Sequence, residues 1–98
     1  MEAKLIDYES ILASVEKTKA KYLNTYGEPE SKLVIIMHPH TVDLISEIFR
    51  KHHQEVFELD RVIQICGMNI MEISDDDRVR ENDALIMPLL EFYKWRKL

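Results

Sequence analysis

Leu33-Val34-Ile35-Ile36-Met37-His38-Pro39-His40-Thr41 is the stretch that decides how this chain folds. Five apolar residues, two of them Ile and one Val, form a run too short for a helix of its own. It reads as a strand covered on both faces. Pro39 follows one residue later and suits the first turn of a helix, where its missing N–H is no loss. From there Val42, Ile45, Ile48, Phe49 and His52 continue one stripe at helical spacing, with Leu44 beside it. The spacing predicts a helix from about Pro39 to Lys51 or His53.

Upstream, Tyr8, Ile11, Leu12, Val15, Tyr22 and Leu23 recur in threes and fours while Glu16, Lys17, Lys19 and Lys21 take the other faces. This is an amphipathic helix from Asp7 to about Tyr26, with Asp7 as its cap and Gly27 and Pro29 ending it. Downstream, Arg61 to Ile65 and Met68 to Ile73 read as strands separated by a bulge or tight bend at Cys66-Gly67. Ala84 to Met87 reads as a further strand, an edge strand or one that ends at Pro88, because proline cannot donate to a ladder. Leu89 to Trp95 is apolar and aromatic at alternate positions and fits either a continuing edge strand or a docking tail. The expected architecture is a single α+β domain over residues 1–98, with two amphipathic helices packed on a small mixed or antiparallel β-sheet of about four strands.

A chain of 98 residues, 46% of them hydrophobic, has the size of one core. It should bury roughly 60 to 65% of the surface its unfolded form exposes. The formal charge of −5 argues against general affinity for nucleic acid or anionic membranes, since both need Lys and Arg in excess on one face. Lys94-Trp95-Arg96-Lys97 is a short basic tail with an aromatic that could stack on a base or contact a phosphate, but four residues in an acidic chain fit better the role of keeping an apolar end soluble. A single cysteine, Cys66, permits no internal disulfide, and no leader or long apolar run is evident. The expected setting is a reducing cytoplasm.

Four histidines form two pairs, His38/His40 and His52/His53. A His-x-His pair at the end of an apolar strand is how several metal hydrolases present their first two ligands, but those enzymes use a barrel of about 250 residues with further ligands at later strand ends. A smaller Zn²⁺ site from His38, His40, a helix histidine and one of Asp75 to Asp77 competes with a plainer reading. In that reading His38 ends a strand, His40 occupies an exposed first turn, and the second pair finishes a helix. Asp75-Asp76-Asp77 lacks the alternate ligands, central Gly and distant Glu of a calcium loop and reads as a solvated turn. Cys66 lies in apolar context, away from the cations that would make a reactive thiolate. Gly27 and Gly67 are too far apart for a phosphate-binding loop. No catalytic residue, cofactor or metal is therefore expected.

Large apolar side chains crowd the C-terminal third, and so small a domain has difficulty hiding them all. Leu89, Leu90, Phe92, Tyr93 and Trp95 are the candidate partner-binding residues, with pairing of edge strands between copies as the means and a homo-oligomer as the expectation.

The helix ending at Tyr26-Gly27, the strand and turn through Met37-His38-Pro39-His40-Thr41, the following helix, Ile65-Cys66-Gly67-Met68-Asn69-Ile70 and the segment from Ser74 to Ile86 come in a telling order. Together they resemble the C-terminal half of tailed-bacteriophage major capsid proteins. There a Met-x-Pro-x-Thr-like turn follows an apolar strand, and an acidic loop precedes an Ala-Leu-Ile strand. This chain has Arg80 where that loop has Pro, and it has no counterpart of the arm and extended loop that link capsid subunits. The resemblance implies a non-enzymatic phage or prophage structural or accessory protein, in host cytoplasm or virion, binding itself or a phage or host protein. A small acidic inhibitor of a host protein, using Asp75 to Asp77, is the first alternative, and a small metal-dependent hydrolase using His38 and His40 is the second.

Overall fold

The computed structural model describes residues 8–53, 61–81 and 83–96. The elements follow in the order α1 (Tyr8–Tyr26), β1 (Leu33–Met37), α2 (Pro39–His53), β2 (Gln64–Ile65), β3 (Met68–Glu72), β4 (Ala84–Pro88) and α3 (Leu89–Arg96). The strands form one mixed sheet in the order β2-β3-β1-β4, with β1 parallel to β3 and antiparallel to β4. This is the α+β fold read from the sequence, with a third helix in addition.

β1 is the centre of the sheet, and its uninterrupted apolar run is explained by layers on both sides. Ile35 and Met37 point to the face covered by α1 and α2, where Ile11, Val15, Val42, Ile45, Phe49, Ile65 and Met68 complete the larger core. Val34 and Ile36 point to the opposite face and meet Val79 and Phe92. The alternation carries across the sheet: Ile70, Ala84 and Ile86 join the first face, and Met71, Leu85 and Met87 the second.

α1 ends where Gly27 takes a left-handed φ of 75° and its N–H bonds Leu23 C=O at 2.8 Å, the termination expected of glycine past the last helical turn. The Tyr8 ring stacks on His52 at a centroid distance of 3.9 Å and meets Phe49 edge-on at 4.8 Å, so the start of α1 is tied to the end of α2. The proposed Asp7 cap and the side chain of His53 lie outside the described residues. The hairpin β2–β3 turns through Cys66 and Gly67 with φ of 49° and 78° between the paired Ile65 and Met68. Two positive φ angles in a two-residue loop define the hairpin turn that matches strand twist, so the sequence signal is a tight bend.

Two expectations need correction. Arg61 to Ile63 is not strand, and β2 holds only two residues. The preceding backbone is drawn to α2 instead: Val62 N–H donates to the buried Ser46 hydroxyl at 2.9 Å, and the Arg61 side chain is held at the start of that helix. Leu89 to Trp95 is neither strand nor extended tail but the helix α3. Its first N–H groups donate to Lys32 C=O (2.9 Å) and to Ser31 Oγ (3.2 Å), which positions the helix at the far end of β4. Leu89, Phe92 and Trp95, three apart, face the sheet, whereas Leu90 and Tyr93 face out.

Candidate functional site

Two places bring together the side chains that the sequence singles out. The first is the junction between β1 and α2, at the C-terminal end of the parallel pair β1/β3. Pro39 biases the residue before it toward extended backbone, which is what a helix N-cap requires. His38 takes that position. Its carbonyl accepts the N–H groups of Thr41 (2.9 Å) and Val42 (3.1 Å), and its ring Nδ1 accepts the N–H of His40 at 3.1 Å. Imidazole thus does the capping ordinarily left to Ser, Thr, Asn or Asp, and to accept there Nδ1 must be unprotonated. The His40 ring lies 4.6 Å from that of His38, and its Nδ1 is 2.8 Å from Oε1 of Glu81, on the loop that leads to β4. This hydrogen bond, together with the nearby imidazole charge, holds the Glu81 carboxyl below the usual range.

His38, His40 and Glu81 each offer one ligand atom, and these atoms lie within 4.8 Å of one another. The smaller Zn²⁺ site weighed as an alternative from the sequence would need a helix histidine and Asp75, Asp76 or Asp77 beside His38 and His40, and neither joins them. His52 is fourteen residues along α2 from His38, about 20 Å at the helical rise, and stacks on Tyr8. The aspartates belong to a different cluster. Glu81 was missed because nothing local marks one glutamate among the polar residues of residues 74–83, and only the return of that loop to the head of α2 selects it.

On the other flank of the junction Arg61 pairs with both Asp43 and Glu72, its Nε to Glu72 Oε2 at 3.3 Å, and donates to Pro39 C=O at 3.2 Å. This planar fork ties α2 to the end of β3. Between α1, α2 and the sheet a cavity of about 180 Å³ is lined by Ile11, Val15, Ile35 and Met37 with Thr18 and Asp83. Cys66 is on the far side of the molecule, its carbonyl bonded by Lys19 Nζ at 3.0 Å, and burial together with Glu16 pushes the thiol up, away from nucleophilic chemistry.

The second place is α3 and the loop beneath it. Of the five expected partner-binding residues, Phe92 is a buried core residue, Leu89 and Trp95 are half-buried against the sheet, and only Leu90 (53% exposed) and Tyr93 (42%) present large apolar surface outward. The neighbouring acidic turn is paired rather than free: Arg96 bonds Asp75 at 3.1 Å, and Arg78 bonds Asp76 through Nε (2.9 Å) and Nη2 (2.6 Å). The Arg78 guanidinium also lies 4.0 Å over the Trp95 ring. Asp76 is consequently held down to about 2, chiefly by the Arg78 hydrogen bonds, and Asp75 is lowered by Arg96.

These features define a small mixed-sheet α+β domain with helices on both faces, and no helix among the described residues is long and apolar enough to cross a membrane. The chain matches no protein-family model, no curated protein and no solved structure.

Proposed function

We propose that this domain is a non-enzymatic contact module that associates with a second copy of itself through the outer edge of β4 and the outward side of α3. The observation that carries the reading is the position of β4. Among the described residues no strand pairs with its outer edge, all five of its residues are only half-buried, and the apolar surface continues directly into Leu90 and Tyr93.

The register supports self-pairing. Leu89 N–H bonds Lys32 C=O, so by the alternation of antiparallel ladders Met87 and Leu85 bond inward to β1, while the backbone groups of Ala84, Ile86 and Pro88 point outward. The N–H that Pro88 lacks is therefore an outward one, which leaves the ladder to β1 intact. A two-fold axis at Ile86 would pair Ile86 with its symmetry mate in both directions and give each Ala84 N–H the partner's Pro88 carbonyl. The proline then blocks longer or slipped pairings, a known way of restricting an edge.

A contact module of this kind fits the phage or prophage structural or accessory protein suggested by the Met37 to Thr41 turn and the order of elements, working in host cytoplasm or virion. The inhibitor alternative draws less support, because Arg78 and Arg96 already occupy two of the three carboxylates it would present. Size-exclusion chromatography with light scattering tests the proposal. A dimer is expected, with both Leu90→Lys and Ala84→Pro shifting it to monomer while helical circular dichroism is retained. A wild-type protein that stays monomeric in concentrated solution would refute it.

A further inference from the structure

We infer that His38, His40 and Glu81 form a binding site for a divalent transition metal of the Zn²⁺ or Co²⁺ class, which staples the loop before β4 to the head of α2. Three residues from two separate segments converge with one donor atom each inside 4.8 Å. In tetrahedral coordination, bonds of 2.0–2.1 Å put ligand atoms roughly 3.3 Å apart. His40 Nδ1 and Glu81 Oε1, at 2.8 Å, need only a slight opening to reach that spacing. To close the remaining gap His38 would rotate its partly exposed ring away from the His40 N–H that it now caps.

The donor set of two imidazoles and one carboxylate suits zinc, and it leaves a fourth position for water. It does not suit calcium or magnesium, which require mostly oxygen. Arg61 cannot compete for Glu81, since its guanidinium is engaged by Asp43, Glu72 and Pro39 C=O.

Binding has a defined proton balance. In its neutral form His40 carries the proton that it donates to Glu81 on Nδ1, and a metal at that atom moves the proton to Nε2. A charged His40 would instead release one proton. His38 also gives up its acceptance of the His40 N–H, because a neutral imidazole ligated at Nε2 must carry hydrogen on Nδ1.

Titration of the metal-free chain with Co²⁺, followed by its visible absorption and by calorimetry, tests the site. One equivalent should bind with a visible band of low-symmetry coordination and raise the Tm by about 10–20 °C at 100-fold excess over Kd. His40→Ala and Glu81→Gln should each weaken binding by about tenfold or more, whereas His52→Ala should leave it unchanged. His38→Ala also removes a helix cap, so its loss of binding counts only if its circular dichroism is native. Absence of the band in the wild type, or its persistence unchanged in Glu81→Gln or His40→Ala, would overturn the assignment.

Discussion

The two faces of the sheet are built unequally. One is covered by α1 and α2, nineteen and fifteen residues long, and among the described residues holds nine buried side chains including Ile11, Ile35 and Ile45. The other is covered by an eight-residue helix and a loop and holds four among the described residues, Val34, Ile36, Val79 and Phe92. A short helix cannot span four strands, so Met71, Leu85 and Met87 stay half-buried and the outward side of α3 keeps Leu90 and Tyr93. The thick face holds the larger buried core among the described residues, and the thin face leaves apolar side chains partly exposed. Arginines compensate where carbon is lacking: Arg78 over Trp95 and Arg96 on Asp75 fasten loop to helix at the rim of the thin face.

The largest effect should come from mutating the same strand layer on opposite sides. Ile35→Ala opens a cavity among rigid neighbours and is expected to cost about 4 kcal/mol, whereas Phe92→Ala, although it removes more atoms, should cost about 3 kcal/mol because α3 can settle onto the sheet. Urea denaturation of both variants provides the measurement, and a larger loss for Phe92→Ala would reverse the ranking of the faces.

An acid titration probes the clamp. The folded-state value of Asp76, about 2, lies below its ordinary 3.8, so its contribution to stability is complete above pH 4 and disappears as pH falls through about 2. In Asp76→Asn that part of the pH dependence should be flattened, and Trp95 fluorescence should become less sensitive to acid. An unchanged acid limb would show that Arg78 does not fasten the thin face.

The smallest effect concerns the hairpin on the thick side. Cys66 has a left-handed φ of 49°, an uncommon conformation for a residue that is not glycine, and Asn before Gly is the preferred pair for this turn. Cys66→Asn should therefore stabilise by about 0.5 kcal/mol, provided the relief exceeds the loss of the partial packing of the thiol on the core. A lower denaturation midpoint would mean that packing outweighs backbone strain there.

Much of the thick face was legible because its signals are local. The i, i+3, i+4 stripe of α1, Gly27 at its end, the doubly apolar run of β1 and Pro39 opening α2 are each set within a few residues by sterics and periodicity. The C-terminal segment was read as strand or tail, although Leu89, Leu90, Phe92, Tyr93 and Trp95, with breaks at Glu91 and Lys94, recur every three residues and fit a helix face rather than the alternation of a strand. Hydrogen bonds from the N–H groups of Leu89 and Leu90 to Lys32 C=O and Ser31 Oγ, some sixty residues away, fix where that helix begins.

The order of helix and strand, the double burial of β1 and the pairing of His38 with His40 were determined by the sequence itself, because neighbouring residues impose them through φ, ψ and spacing. The tertiary structure alone decided that β1 lies between β3 and β4, that Phe92 is core while Leu90 is surface, and that Glu81 joins the two histidines. Those outcomes depend on contacts between residues far apart in the chain, whose energies exist only once the sheet has brought them together.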